Sequence, residues 1–226
     1  MKRMGKAKRE QRKRLVGVFA ALAIILVLGV IFSERKAAAK DGTWAGEGTA
    51  EDPYLIEDLE DFLALQSCVN GGDSCSHKYF LLTTNLDLSE VCGENIGSWD
   101  PIGNESTHFE GDFSGGMKEI SGLYINGGES VGLFGVSDGK VERLSVSGSV
   151  SGQDFVGGIV GKNQGIIYGC SSKVTVSGKD TVGGIAGYNG GQINNCYNGG
   201  SVTGADQVGG IAGESGDDIT FCTNAA

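Results

Sequence analysis

The chain changes its hydrophobic pattern more than once. Residues 15–32 read LVGVFAALAIILVLGVIF, an unbroken apolar run long enough, as a helix, to cross about 30 Å of hydrocarbon. Residues 33–48 have no periodic apolar positions and predict a linker. From Pro53 the stretch PYLI predicts a short strand. In the following EDLEDFLALQSCVN, Leu59, Phe62, Leu63 and Leu65 fall near helical spacing behind an acidic first turn, which predicts one helix. After it the apolar stretches are brief (YFLLT, LDL, WDPIG, FEGDF, EISGLYI, VGLFG), and each is ended by Gly, Asn, Asp or Ser, as in short strands joined by tight turns.

The strongest pattern is internal repetition. Written from each Val-Gly, residues 156–181, 182–207 and 208–226 begin VGGIVG, VGGIAG and VGGIAG, a period of 26. An earlier copy at 131–155 begins VGLFG and is one residue shorter at its Val-Gly corner. With that deletion allowed, Leu133, Ile159, Ile185 and Ile211 form one column, and Val141, Ile167, Ile193 and Ile219 a second. Leu144, Cys170, Cys196 and Cys222 form a third, and Val150, Val176 and Val202 a fourth. A coil this short cannot bury its own apolar residues, but coils stacked about 4.8 Å apart set like on like and make a continuous core. The columns therefore predict a buried ladder in an all-β fold, a parallel β-helix (β-solenoid) of short coils with one N-terminal capping helix, preceded by a single transmembrane helix. The glycine columns 135/161/187/213 and 152/178/204 predict corners that need positive φ or close packing. The expected organisation is a basic cytoplasmic segment 1–14, the membrane helix or signal anchor 15–32, the linker 33–48, a leader with the capping helix 49–130, and repeats at 131–226. The last copy stops after 19 of its 26 residues, which predicts a chain that continues beyond Ala226.

Charge divides the chain in the same way. Residues 1–40 hold 11 Lys+Arg against 2 Asp+Glu, which leaves 18 − 11 = 7 basic and 28 − 2 = 26 acidic residues for the remainder. Lys2, Arg3, Lys6, Lys8, Arg9, Arg12, Lys13 and Arg14 stand before the apolar run. They predict a single-pass cell-membrane protein with a cytoplasmic N-terminus and an extracytoplasmic C-terminal part. The alternative is secretion after cleavage near Ala39, in the small-residue site Ala37-Ala38-Ala39, although the apolar run is longer than usual for a signal peptide. An acidic body of this size repels phosphate, which excludes nucleic acid as a partner.

The segments VGLFG, VGGIVG and VGGIAG, with the G-x-I-x-x-C that follows, resemble the GLUG motif of bacterial cell-surface proteins. The stretch GTAEDPYLIEDLEDFLAL, KYFLLTTNLDLS, WDPIG, FEGDF and EISGLYING is similar to the leader found before that motif, so the resemblance covers residues 48–226. Where such leaders often read FDGNG, this chain has Phe113-Ser114-Gly115-Gly116. The resemblance implies a surface-exposed β-solenoid from large exported proteins, adhesin-like chains and regions before some metallopeptidase domains among them, with no active site in the motif itself.

Candidate chemistry is sparse. The ladder cysteines share a column with Leu144 and read as small buried hydrophobes. Cys68, Cys75 and Cys92 lie in polar loops of an exported domain, where disulfides form. Cys68 with Cys75 is the expected pair because the loop between them is short. His77 and His108 are far apart and no C-x-x-C occurs, so no zinc site is expected. Asp87, Asp100 and Asp112 are the carboxylates to weigh for acid–base chemistry or Ca²⁺, but turn hydrogen bonding explains such positions more simply. Trp44, Trp99, Tyr168, Tyr188 and Tyr197 occupy different columns and form no stripe, and the sequon Asn104-Glu105-Ser106 carries little weight in a bacterial-type chain. The expected function is a non-catalytic, membrane-anchored module with no cofactor and no metal. It would present an elongated acidic face to a surface glycan or protein ligand for display, adhesion or assembly. The alternative is the N-terminal part of a larger exported metallopeptidase or polysaccharide-degrading enzyme.

Overall fold

A computed structural model describes residues 44–225. The expected membrane helix at 15–32 lies outside the described residues. Among those described, no helix is long and apolar enough to cross a membrane.

Strict two-residue alternation decides which way each strand faces. In SSKVTVS (171–177), Ser172, Val174 and Val176 are buried while Lys173 and Thr175 face out. The same alternation recurs coil after coil. The chain opens with β1 (Tyr54–Ile56), helix α1 (Leu59–Asn70), β2 (Tyr79–Leu82) and β3 (Leu86–Asp87). The long β4 (Asp112–Asn126) follows, then β5 (Phe134–Ser137) and β6 (Lys140–Ser151). The repeats supply β7 (Asp154–Gly157), β8 (Val160–Asn163), β9 (Ile166–Tyr168), β10 (Ser171–Ser177), β11 (Asp180–Gly183), β12 (Ala186–Asn189) and β13 (Gln192–Asn194). They finish with β14 (Tyr197–Asn198), β15 (Val202–Thr203), β16 (Val208–Gly209), β17 (Ala212–Ser215), β18 (Ile219–Thr220) and β19 (Thr223–Asn224).

These strands wind into a parallel β-solenoid of about seven turns with one helix. The main sheet runs β1-β2-β4-β6-β10-β14-β19, and two smaller sheets, β16-β11-β7 and β17-β12-β8-β5, form the other sides. The register sets Val141 beside Ile167, Ile167 beside Ile193 and Ile193 beside Ile219, and sets Val150 beside Val176 and Val176 beside Val202. Ile159 N–H donates to Ile185 O at 3.0 Å and Ile185 N–H to Ile211 O at 2.9 Å, so that column also climbs one coil at a time. Leu133, Leu144, Cys170 and Cys196 are buried, whereas Ile211 and Cys222 are partly buried and Ile219 is exposed in the last coil. Val131 pairs with Val156 but Phe134 pairs with Val160, which locates the missing residue at the Val-Gly corner.

The first coil is closed by α1. Asp58 caps it by accepting from Asp61 N–H at 3.0 Å, and Phe62, Leu65 and Val69 face the core. Phe62 stacks on Trp99 with centroids 5.6 Å apart. The fold begins earlier than the expected linker boundary at residue 48. Trp44 packs on Tyr54 and Phe80, and Ala45 bridges Leu55 antiparallel along the outer edge of β1. An aromatic pair and an edge strand in need of hydrogen bonds account for that recruitment.

Residues other than glycine also take up the left-handed backbone at the corners. Two columns of non-glycine residues sit in the left-handed region. One comprises Met117, Arg143, Asn195 and Phe221, with Gly169 at the same station, and the other Ser130, Phe155, Thr181 and Gln207. Of the two reasons expected for the glycine column 135/161/187/213, close packing is the one it shows. A Cβ on Gly187 would lie 2.3 Å from the carbonyl carbon of Phe155 in the preceding coil.

Candidate functional site

The polar residues are best taken by where the coil geometry puts them. Asp87 ends β3 and its Oδ1 accepts from Ser89 N–H at 2.9 Å; these hydrogen bonds hold its carboxyl below the usual carboxylate range. Asp100 Oδ2 accepts from Asn70 Nδ2 at 3.0 Å, which ties the loop after Trp99 to the end of α1. Asp112 points outward from β4 beside Lys140 of the next coil. Burial raises its pKa, and the nearby Lys140 opposes that rise. All three carboxylates thus have local structural partners or packing, and they sit at separate stations of the leader. Among the described residues no three His, Cys, Asp or Glu side chains cluster tightly enough to hold a metal ion.

Two surface grooves among the described residues bear on these carboxylates. The larger, about 420 Å³, lies between the 98–105 loop and the 125–131 turn, lined by Trp99, Asp100, Glu105, Asn126 and Glu129 among others. Trp99 is spent on the core, with its Nε1 donating to Leu133 O at 3.1 Å. Glu105 is held by Lys162 Nζ and Ser130 Oγ, both at 2.7 Å, and these contacts depress its pKa. The smaller groove, about 220 Å³, sits over Tyr79, Asp112, Lys140 and Glu142, with Lys140 bridging Glu142 at 2.7 Å.

His77 adopts a left-handed turn, and His108 Nδ1 meets Asp138 Oδ1 at 2.9 Å, apart from it. The cysteines are free thiols. Cys68 and Cys75 face each other with sulfurs 4.0 Å apart, so the bond expected between them is unformed; closing it to about 2.05 Å requires a small side-chain shift. Burial raises the pKa of Cys170 far above that of an ordinary thiol. Tyr168 and Tyr197 are exposed on the main sheet, while Tyr188 meets Phe155 edge-on.

Two features escaped the sequence reading. The first is a pair of buried asparagine ladders. Asn163 Nδ2 donates to Asn189 Oδ1 at 2.7 Å, and Asn189 Nδ2 donates to Gly191 O at 2.7 Å and Ser215 Oγ at 3.0 Å. On another side, Asn198 Nδ2 donates to Gly200 O at 2.9 Å and Asn224 Oδ1 at 2.8 Å. The signal was present as N-x-G at 163–165, 189–191 and 198–200, with Asn163 and Asn189 one period apart. The second is the distribution of charge. The expected acidic face is absent from the unbroken seven-residue pairing of β6 with β10, where Ser145, Ser147, Ser149 and Ser151 of β6 lie beside Ser171, Lys173, Thr175 and Ser177 of β10.

The fold is therefore that of a parallel β-solenoid whose polar side chains chiefly tie coils together, and similarity to known proteins agrees with this. No family model matches the chain, so the GLUG likeness rests on its motifs. The chain is 33% identical over 133 residues to a protein of Evansella cellulosilytica provisionally named a Gly-rich membrane protein, covering 57% of this chain and 15% of that one. It is 30% identical over 158 residues to the halomucin of Haloquadratum walsbyi, covering 53% of this chain and 2% of that one. The chain thus matches a small fraction of the length of either curated relative. A crystal structure from Bacteroides ovatus, provisionally named an immunoglobulin A1 protease, superimposes with a TM-score of 0.54 at 22% identity over 79% of this chain and 68% of that one. At that identity the likeness concerns the fold alone.

Proposed function

We propose that this chain is a non-catalytic surface module. In this reading residues 15–32 hold it in the cell membrane, and the solenoid is the rigid extracytoplasmic part that carries display, adhesion or assembly. The observation that carries the reading is the economy of the fold: inward positions are consumed by the apolar and asparagine ladders, and Asp87, Asp100 and Glu105 are occupied as caps and ties. The basic segment before the apolar run supports the orientation. The name of the Evansella relative, a Gly-rich membrane protein, points the same way. The protease name of the Bacteroides protein stays with that protein.

The test is a turnover panel. Purified full-length protein, incubated with neutral and acidic polysaccharides and with unstructured peptides, should leave all of them intact. Turnover that disappears in Asp112→Asn, the carboxylate whose pKa burial raises, would replace this reading with an enzymatic one.

A further inference from the structure

The second half of β6 and the whole of β10 form a regular outer face. Seven consecutive residues pair in parallel register, Ser145 with Ser171 through Ser151 with Ser177. The next coil continues the rows with Tyr197 beside Ser171 and Thr203 beside Ser177. Strand geometry spaces these side chains about 4.8 Å apart across the sheet and roughly 6.6 Å apart along it. Ser147 donates to Glu119 at the border of the face, at 2.8 Å, and Thr203 to Val176 O at 3.4 Å. The hydroxyls of Ser145, Ser149, Ser151, Ser171, Thr175 and Ser177 make no hydrogen bond to the described residues. Lys173 is the one charged outward residue in the paired stretch, on an exported part that carries 26 carboxylates.

We propose that this face binds an extended, uncharged polysaccharide, with the serine and threonine rows hydrogen-bonding the sugar hydroxyls and the exposed ring of Tyr197 seating a sugar face. The chemistry of the face selects that ligand. Each Ser or Thr hydroxyl donates one hydrogen bond and accepts others, which matches a polymer whose own groups are hydroxyls. A polyanion would find a single lysine here and the repulsion of an acidic body. Rows of outward side chains at regular spacing suit an extended chain, whereas a small molecule is usually held in a concave site, and repeated weak contacts along one polymer add as avidity. Tyr197, 42% exposed, offers an apolar ring with a polar tip. This inference rests on the surface-module reading and gives that module a ligand class.

Full-length protein in nonionic detergent is mixed with suspended chitin and cellulose particles, and with beads bearing the polyanion alginate. Retention on a neutral particle is expected, insensitive to salt because no ion pair is used. The variant Ser149→Ala/Thr175→Val/Ser177→Ala keeps β-compatible side chains and should lose roughly tenfold in retention. Thr175→Ser should bind as the parent does, and so should Gln164→Ala, at an exposed position between β8 and β9. Thr175→Glu, which leaves the core untouched, should also abolish retention. The proposal is overturned by failure of the parent to bind either neutral particle, by equal retention of the triple variant, or by salt-sensitive binding to alginate alone. Inhibition of ice recrystallisation that these variants remove, without glycan retention, would assign the lattice to ordered water and overturn it as well. Because this readout is independent of cell location, loss of glycan binding with surface exposure intact refutes only the ligand.

Discussion

Replacing Asn189 by Asp removes one amide nitrogen from the centre of a ladder. Asn189 is 0% exposed. Its Oδ1 accepts from Asn163 at 2.7 Å, and its Nδ2 donates to Gly191 O at 2.7 Å and Ser215 Oγ at 3.0 Å. Aspartate keeps the acceptor and loses both donations. Gly191 O is then left without its donor and faces a carboxylate oxygen, a loss of about 1–3 kcal/mol. Burying the carboxylate without a cation adds to that unless the group stays protonated. Ser215 is exposed and finds water, so it contributes little. The expected total is about 3–5 kcal/mol at neutral pH, a large share of the 5–15 kcal/mol typical of a domain. The new carboxyl would have a folded-state pKa above its unfolded value. The deficit should therefore shrink at acid pH and grow as pH rises through the folded pKa. Urea unfolding followed by circular dichroism reads the difference, with the coils treated as a cooperative array only if transitions coincide between probes. A loss within about 0.5 kcal/mol, the range of exposed sites, would refute the ladder.

Ile185→Asp should unfold the repeats, since Ile185 is 0% exposed between neighbouring coils, whereas Cys196→Val should cost under about 1.5 kcal/mol in the same melts. Two left-handed glycines separate conformation from contact. A Cβ on Gly169 meets nothing closer than 3.9 Å, so Gly169→Ala should cost only about 1–2 kcal/mol. On Gly148 it would lie 2.1 Å from Leu123 O, and Gly148→Ala should cost considerably more by thermal melting. Burial raises the pKa of Asp112, so its folded form is favoured below the unfolded pKa and that advantage is lost as pH rises through the folded value. Asp112→Asn should accordingly raise Tm at neutral pH, with the gain vanishing at acid pH; an unchanged Tm difference across that range would contradict the assignment. Peptide mapping after air oxidation should recover Cys68 joined to Cys75, while the ladder thiols stay reduced; a bond between Cys170 and Cys222, which the register keeps two coils apart, would contradict that register.

The 26-residue period was legible because stacked coils reward identical residues at identical stations, and Ile167, Ile193 and Ile219 stand in the register that period implies. Helix α1 was legible from its spacing and acidic start. Asn189 was not: an Asn before two glycines reads as an exposed turn, and only its recurrence at Asn163 one coil earlier reveals an inward amide. The left-handed column of Ser130, Phe155, Thr181 and Gln207 was hidden for a different reason. No residue type common to those stations announces positive φ, and neighbouring coils impose it. Trp44 illustrates the leader's remaining difficulty, because a linker aromatic and a packed one look alike until Tyr54 and Phe80 are placed around it. The serine and threonine face was visible as alternation in 145–151 and 171–177. Its poverty in charge emerges once those strands are set side by side.

The central claim is that the solenoid stands outside the cell on a membrane anchor. Protease added to intact cells tests it most directly, followed by separation of membranes and detection of tags on either side of residues 15–32. The account predicts that the tag beyond the solenoid disappears while the N-terminal tag stays with membranes through a high-salt wash. A distal tag that survives until the cells are lysed, or protein that leaves the membranes in that wash, would contradict it.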